Sequence, residues 1–176
     1  DQRISYHHGN GTFMNNPDQH ADIIVSGRFL MPTWRQADHI ENGGVAVKGD
    51  TIVATGTRAE LVEQFPAAVE LHEPDGLVMP GLINTHTHAP MSCFRGIADD
   101  LPLMTWLEEH IFPAETKMNK DMVYQATLLS IAEMIRSGTT SFCDMYLFAG
   151  EVARAVEETG IRAWLGEVLY DFPSPS

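Results

Sequence analysis

The amino-acid sequence predicts an α/β fold built in two parts. From residue 77 onward, three apolar strands alternate with amphipathic helical segments in the order β-α-β-α-β, which is typical of a parallel sheet or barrel. Residues 21–75 instead contain short strands and a tight turn, which predict a small antiparallel β unit. Residues 1–20 are rich in Asn, Gly, His and Gln without an apolar period, so we expect a flexible extension there.

The antiparallel unit is predicted from turn and capping signals between short apolar segments. The Gly49-Asp50 pair favours a hairpin turn. Thr57 and Glu60 have the spacing of a capping box, which predicts that a short helix begins there. The segments predicted as strands are residues 22–26, 44–48, 51–55 and 69–72.

A single strand over residues 76–88, entered through a turn at Asp75-Gly76, is the central element of the prediction. It ends in His86 and His88, and residues two apart in a strand share one face. Two imidazoles on one face at the end of a buried strand are placed to bind one divalent metal ion. The alternative is a buried strand that ends in two ordinary histidines. The side chains expected on the shared face are Val78, Leu82, Asn84, His86 and His88.

The remaining elements follow from apolar spacing and from polar or glycine residues at the helix ends. Residues 89–100 are predicted as a loop, residues 101–111 and 151–159 as helices, and residues 139–143 and 161–169 as strands. Asn119 and Gly138 are expected to begin and end a further helix. Its predicted buried stripe comprises Val123, Thr127, Leu128, Ile131, Met134 and Ile135.

Composition restricts the class of protein. The chain has 176 residues, of which 44% are hydrophobic, so a substantial core is expected. Its net charge of −13 argues against nucleic acid or an anionic membrane surface as partner. Two cysteines fit a reducing compartment, and no stretch reaches the ~18 apolar residues of a membrane span, so we expect a cytoplasmic protein. A homo-oligomer is compatible with these data.

Polar residues follow the predicted strands at the end where parallel sheets carry their sites. His86, His88 and Asp144 all lie at such carboxyl ends. A catalytic metal site needs about three protein ligands and an open position, and the histidine pair supplies two.

Three motifs resemble the amidohydrolase superfamily. Pro-Gly-Leu-Ile-Asn-Thr-His-Thr-His at residues 80–88 follows a β unit that contains Gly-Asp-Thr-Ile-Val-Ala-Thr-Gly at residues 49–56. Residues 95–115 and the segment Gly-Thr-Thr-Ser-Phe-Cys-Asp-Met-Tyr at residues 138–146 are similar to one branch. That branch contains the S-adenosylhomocysteine/5′-methylthioadenosine deaminases and the triazine chlorohydrolases.

The resemblance implies the N-terminal portion of a metal-dependent (β/α)₈ TIM barrel preceded by part of a small β-sandwich. Residues 21–75 would belong to the sandwich, and residues 76–176 would form the first three barrel strands. A complete barrel takes about 250 residues. The other metal ligands and the acid and base residues of this superfamily therefore lie on strands beyond this chain. We expect either a fragment of a longer protein or a chain completed by another.

The resemblance also assigns the site residues. It makes His86 and His88 metal ligands, most simply for zinc, with iron possible. It places Glu115 against the ribose hydroxyls of a nucleoside and Trp106 against the substrate ring. Taken alone, Trp106 is more typical of helix packing and Glu115 of a solvated charge at a helix end.

The implied reaction is deamination of an adenine nucleoside, S-adenosylhomocysteine or 5′-methylthioadenosine, by attack of metal-bound hydroxide. Two alternatives stay open. One is another hydrolase of the branch, of the guanine deaminase or triazine chlorohydrolase type, for which a ribose-binding Glu115 would have no purpose. The other is an inactive fragment that lacks the remaining ligands.

Overall fold

The structure, a computed structural model, describes residues 20–171. The chain divides after Pro80 into two compact units. The sequence placed this boundary after residue 75, five residues earlier. The extension predicted for residues 1–20 lies, except for His20, outside the described residues.

The first unit is one five-stranded sheet with a short helix. β1 pairs with β2, β3 and β5, and β3 also pairs with β4. A 3₁₀ turn spans Gln36–Asp38. The elements are β1 (Ile23–Leu30), β2 (Ile40–Glu41), β3 (Gly43–Lys48), β4 (Thr51–Thr57), α1 (Arg58–Gln64) and β5 (Val69–Val78).

The sheet of the first unit is mixed, so the prediction of a purely antiparallel unit is wrong. The hairpin between β3 and β4 is antiparallel as predicted, with Gly49 at a φ of 58° in its turn. β5, however, pairs with β1 in parallel, from Ile23 opposite Val69 to Leu30 opposite Val78. Parallel pairing needs a crossover connection, which the intervening hairpin and α1 supply. Strand periodicity alone carries no information on this direction.

The predicted strand over residues 76–88 is two strands that belong to different sheets. β5 runs through Asp75-Gly76, so the turn predicted there is wrong. The break lies between Val78 and Leu82, where Pro80 lacks the N–H that would continue a ladder. Val78 is consequently not on a common strand face with the two histidines.

The second unit is a three-stranded parallel sheet in the order β6-β7-β8. The predicted alternation of strands and helices is confirmed. A 3₁₀ helix spans Ala89–Phe94, and a π-helical stretch spans Trp106–Ile111 between α2 and α3. The elements are β6 (Leu82–Thr87), α2 (Leu103–Thr105), α3 (Phe112–Glu115), α4 (Lys120–Arg136), β7 (Thr139–Tyr146), α5 (Ala149–Thr159) and β8 (Arg162–Glu167).

Details of the helical predictions need correction. The predicted loop at residues 89–100 begins with the 3₁₀ helix Ala89–Phe94, and the helix predicted for residues 101–111 continues to Glu115. Asn119 caps α4 by accepting a hydrogen bond from the Met122 N–H, as expected. Ile135 is 53% exposed, because the buried stripe of α4 runs through Ala126 and Ser130 instead.

The core of the second unit lies between one face of the sheet and its helices. Phe142 of β7 is fully buried against Ile131 of α4 and Ala155 of α5. Alternate residues point to the opposite face, where Met145 and Trp164 are exposed. In residues 20–171, no helix is long and apolar enough to cross a membrane.

Candidate metal centre and substrate site

The two histidines lie together at the carboxyl end of β6. Their ring centroids are 5.2 Å apart and the rings are almost perpendicular, at 79°. His86 is exposed and His88 is half-buried. Two imidazoles at this separation can serve as ligands of one ion.

A hydrogen bond fixes which nitrogen of His88 can bind a metal. Nδ1 lies 2.7 Å from the carbonyl oxygen of Met145, at the end of β7. Because a carbonyl only accepts, Nδ1 carries the proton and donates, which leaves the lone pair on Nε2. Metal-binding histidines ordinarily have this second hydrogen bond, which fixes tautomer and ring orientation. This hydrogen bond is therefore compatible with metal binding through Nε2 of His88.

Ala89, the residue after His88, has its N–H and its carbonyl bound by buried side chains. Asp144 is 3% exposed, and its Oδ1 accepts a hydrogen bond of 2.8 Å from the Ala89 N–H. The Ser130 hydroxyl donates to the Ala89 carbonyl at 2.6 Å. Burial raises the pKa of Asp144, while the hydrogen bond from Ala89 acts in the opposite direction. In the sequence, only the position of Asp144 at a strand end marks it, and its partner Ala89 is brought to it by the fold.

The donor set fits a divalent metal in part. Neutral imidazole is a common ligand of zinc, and the His88 tautomer suits that role. In the described part of the chain, no group of three or more His, Cys, Asp or Glu side chains could hold an ion. That His86 and His88 bind a metal ion stays a prediction.

Glu115 is buried beside β7 and is not a solvated charge. It is 7% exposed, and its Oε1 accepts a hydrogen bond of 2.7 Å from the hydroxyl of Tyr146. The same hydroxyl lies 3.4 Å from the sulfur of Met118. Burial, with a further contribution from the bond to Glu115, raises the pKa of Tyr146 far above its usual value. The phenol thus stays protonated and acts as donor.

Trp106 borders a cleft that also reaches His88. The cleft has a volume of about 680 Å³, and its lining includes Asn84, Thr87, His88 and Trp106. Trp106 is half-buried. Glu115 and His86 are not part of this lining. The structure hence places Trp106 and His88 in the lining of one cleft. Glu115 lies elsewhere, in a buried cluster with Tyr146.

An ion pair stabilises one wall of the cleft. Arg95 donates through both terminal nitrogens to the two carboxylate oxygens of Glu133, at 3.0 and 2.8 Å. Both residues line the cleft, and they join the loop after the 3₁₀ helix to α4. No local sequence signal marks this pair, because the two exposed charges are 38 residues apart.

Residues 77–175 match the amidohydrolase family, and residues 43–68 match the imidazolonepropionase-like composite domain of bacteria. The chain belongs to the amidohydrolase family.

The relatives include two nucleoside deaminases. The chain is 48% identical over 159 residues to 5-methylthioadenosine/S-adenosylhomocysteine deaminase 1 of Syntrophus aciditrophicus. This match covers 90% of this chain and 36% of the relative. It is 44% identical over 151 residues to the 5′-deoxyadenosine deaminase of Methanosarcina mazei, which covers 86% of this chain and 34% of that protein. The chain thus spans about a third of the length of these curated relatives.

A solved structure has the same fold over the matched region. The crystal structure of an adenosine deaminase from Xanthomonas campestris with bound zinc superposes with a TM-score of 0.84 and 40% identity. The match covers 89% of this chain and 36% of that one. The order β6-β7-β8 with covering helices accordingly fits the N-terminal part of a TIM barrel.

Proposed function

We propose that this protein is a metal-dependent aminohydrolase that removes the 6-amino group of an adenine nucleoside, S-adenosylhomocysteine or 5′-methylthioadenosine. The observation that carries the proposal is the orientation of His88. Its Nδ1–H is bound to the Met145 carbonyl, and its ring centroid lies 5.2 Å from that of His86 at the carboxyl end of a parallel strand. Relatives that are named as deaminases of 5′-substituted adenine nucleosides support the substrate class.

His86 and His88 would hold the metal ion, with zinc the first candidate. When bound, such an ion lowers the pKa of a coordinated water to about 7 and so supplies the nucleophile at neutral pH. Trp106 would stack on the substrate ring at the cleft, and the Glu115 carboxylate would accept hydrogen bonds from the ribose hydroxyls. These two residues orient the nucleoside and take no part in proton transfer.

The proposal extends to the domain plan. The first unit would contribute part of a β-sandwich, and the second unit would contribute the first three strands of a (β/α)₈ barrel. The further ligands and the acid and base residues would come from the remaining length that the relatives possess. A small-molecule heterocycle is the expected partner, and a homo-oligomer stays a prediction.

The test is metal content and turnover of the protein at its natural length. We expect about one zinc ion per chain, release of ammonia from 5′-methylthioadenosine, and no turnover of guanine or a chlorotriazine. His88→Ala should lose most of the bound metal and at least ~100-fold in kcat/KM, because a ligand contributes at least as much as the residue that orients it.

His20→Ala is the matched control, because His20 is exposed and lies in the first unit. It should leave metal content and turnover unchanged. Hydrolysis of guanine or a chlorotriazine in preference to the nucleoside would reject the substrate assignment. A His88→Ala protein that keeps its zinc and its activity would reject the site itself.

A further inference from the structure

Tyr146, the residue after Met145 on β7, contacts Glu115, which is the residue predicted to bind the sugar. Tyr146 is 4% exposed, and its hydroxyl donates to Oε1 of Glu115 at 2.7 Å across 31 residues of sequence. Met118, also 4% exposed, lies against the same hydroxyl. The three side chains form a buried cluster at the carboxyl end of β7, which we call the Tyr146 cluster.

The hydrogen bond leaves acceptor capacity on Glu115. An ionised carboxylate has two oxygens with about four acceptor positions, and Tyr146 occupies one of them. A buried carboxylate needs such donors to offset its loss of water. With one oxygen fixed by a rigid phenol, the plane of the carboxylate is fixed too, and the remaining positions can accept hydroxyl donors from a ligand.

The end of β7 anchors both halves of the candidate site. The Met145 carbonyl orients His88, and the next residue, Tyr146, holds Glu115. The rings of His88 and Tyr146 are 6.2 Å apart between centroids. The distance between the metal position and the sugar-binding carboxylate is therefore set by two consecutive residues of one strand.

We propose that Tyr146 is a positioning residue that aims the Glu115 carboxylate at the vicinal 2′- and 3′-hydroxyls of the substrate, and so sets the preference for ribonucleosides. This inference rests on the proposed function. Tyr146 itself touches neither the substrate nor the metal. Its contribution should appear in the recognition of the diol and not in the chemical step.

The experiment compares Tyr146→Phe with the wild type, in the protein at its natural length, on two substrates. These are 5′-methylthioadenosine and its 2′,3′-dideoxy counterpart, which lacks the diol. We expect KM for the ribonucleoside to rise about tenfold, the usual effect of losing a hydrogen bond to a charged group, with kcat changed less than about twofold. Kinetics on the dideoxy compound should not change.

Tyr124→Phe is the matched control. It also removes a hydrogen bond from a tyrosine hydroxyl to a glutamate, Glu158, but at the exposed surface. It should leave KM and kcat unchanged for both substrates. Discrimination is read as the ratio of kcat/KM for the two substrates within one protein, so a reduced folded fraction cancels. In a Glu115→Gln background, adding Tyr146→Phe should change this ratio little, since the two residues act as one unit.

The outcomes distinguish a failure of the Tyr146 role from a failure of the proposed function. If the protein hydrolyses the ribonucleoside but Tyr146→Phe leaves the ratio unchanged, or impairs both substrates equally, the positioning role is wrong and the proposed function stands. If the protein hydrolyses no adenine nucleoside, the proposed function fails and the inference fails with it. A selective loss on the ribonucleoside, absent in Tyr124→Phe, supports both.

Discussion

At the scale of single residues, the candidate site depends on polar side chains that bind backbone atoms. Ala89, the residue that follows His88, has both of its backbone polar groups satisfied, its N–H by Asp144 and its carbonyl by Ser130. His88 itself is held through the carbonyl of Met145. Buried polar groups must find such partners, and here these partners also limit the positions that His88 can take.

Asp144→Ala should therefore destabilise the protein by about 1–3 kcal/mol, because the buried Ala89 N–H loses its acceptor. Asp144→Asn keeps an oxygen at the same position and should cost clearly less. The measurement is urea denaturation followed by circular dichroism. An equal loss in the free energy of unfolding in the two variants would show that the charge of the carboxylate matters and not its acceptor oxygen.

At the scale of elements, α1 of the first unit is defined by its capping box. The Thr57 hydroxyl accepts from the Glu60 N–H, and the Glu60 carboxylate accepts from the Thr57 N–H at 2.8 Å. Hydrogen bonds from Thr57 lower the pKa of Glu60. Leu61, in the next position, is 1% exposed and packs in the core of this unit. The cap thus fixes where the helix begins and which residue it buries.

Thr57→Ala should cost about 1 kcal/mol at neutral pH. Because the pKa of Glu60 is lower when folded than when unfolded, its contribution is present above about pH 4.3 and is lost as pH falls through the folded value. The difference in the free energy of unfolding between Thr57→Ala and the wild type should therefore become smaller in acid. Thermal unfolding at several pH values measures this difference. Thr55→Ala is the control, because Thr55 is an exposed strand residue. A gap that stays constant down to pH 3 would contradict the role of Glu60.

At the scale of the whole molecule, the helices of the second unit cover one face of its parallel sheet, and within residues 81–171 no helix covers the other face. Ile83 and Trp164 remain 66% and 64% exposed, and Met145 is 50% exposed. Parallel sheets in α/β proteins have both faces covered, and exposed apolar faces and open strand edges favour association.

We expect the 176-residue chain, purified by itself, to associate in a concentration-dependent way. Trp164→Lys should shift its size-exclusion profile towards monomer, because the substitution places a charge on the uncovered face. Trp34→Lys is the matched control, since Trp34 is 86% exposed but lies in a loop of the first unit. A reduction of association by both variants alike would point to the loss of an exposed tryptophan anywhere on the surface and not to the sheet face, because both variants change the net charge equally.

The sequence by itself determined the features that depend on short spacing. The capping box at Thr57, the Asn119 cap of α4, the hairpin turn at Gly49 and the alternation of strands and helices after residue 77 can each be read within a few residues. The His-x-His pattern of His86 and His88 is of this kind, because strand geometry brings residues two apart close together.

The tertiary structure alone decided what depends on distant pairing. Two such features join residues far apart in the chain, namely the parallel pairing of β5 with β1 and the burial of Glu115 under Tyr146. A third is the division of the predicted strand at Pro80, whose two halves belong to different sheets. The tautomer of His88 is decided by Met145, 57 residues away. Local periodicity states whether a side chain is buried in an element, but which partner it meets there is set by the folding of the whole chain.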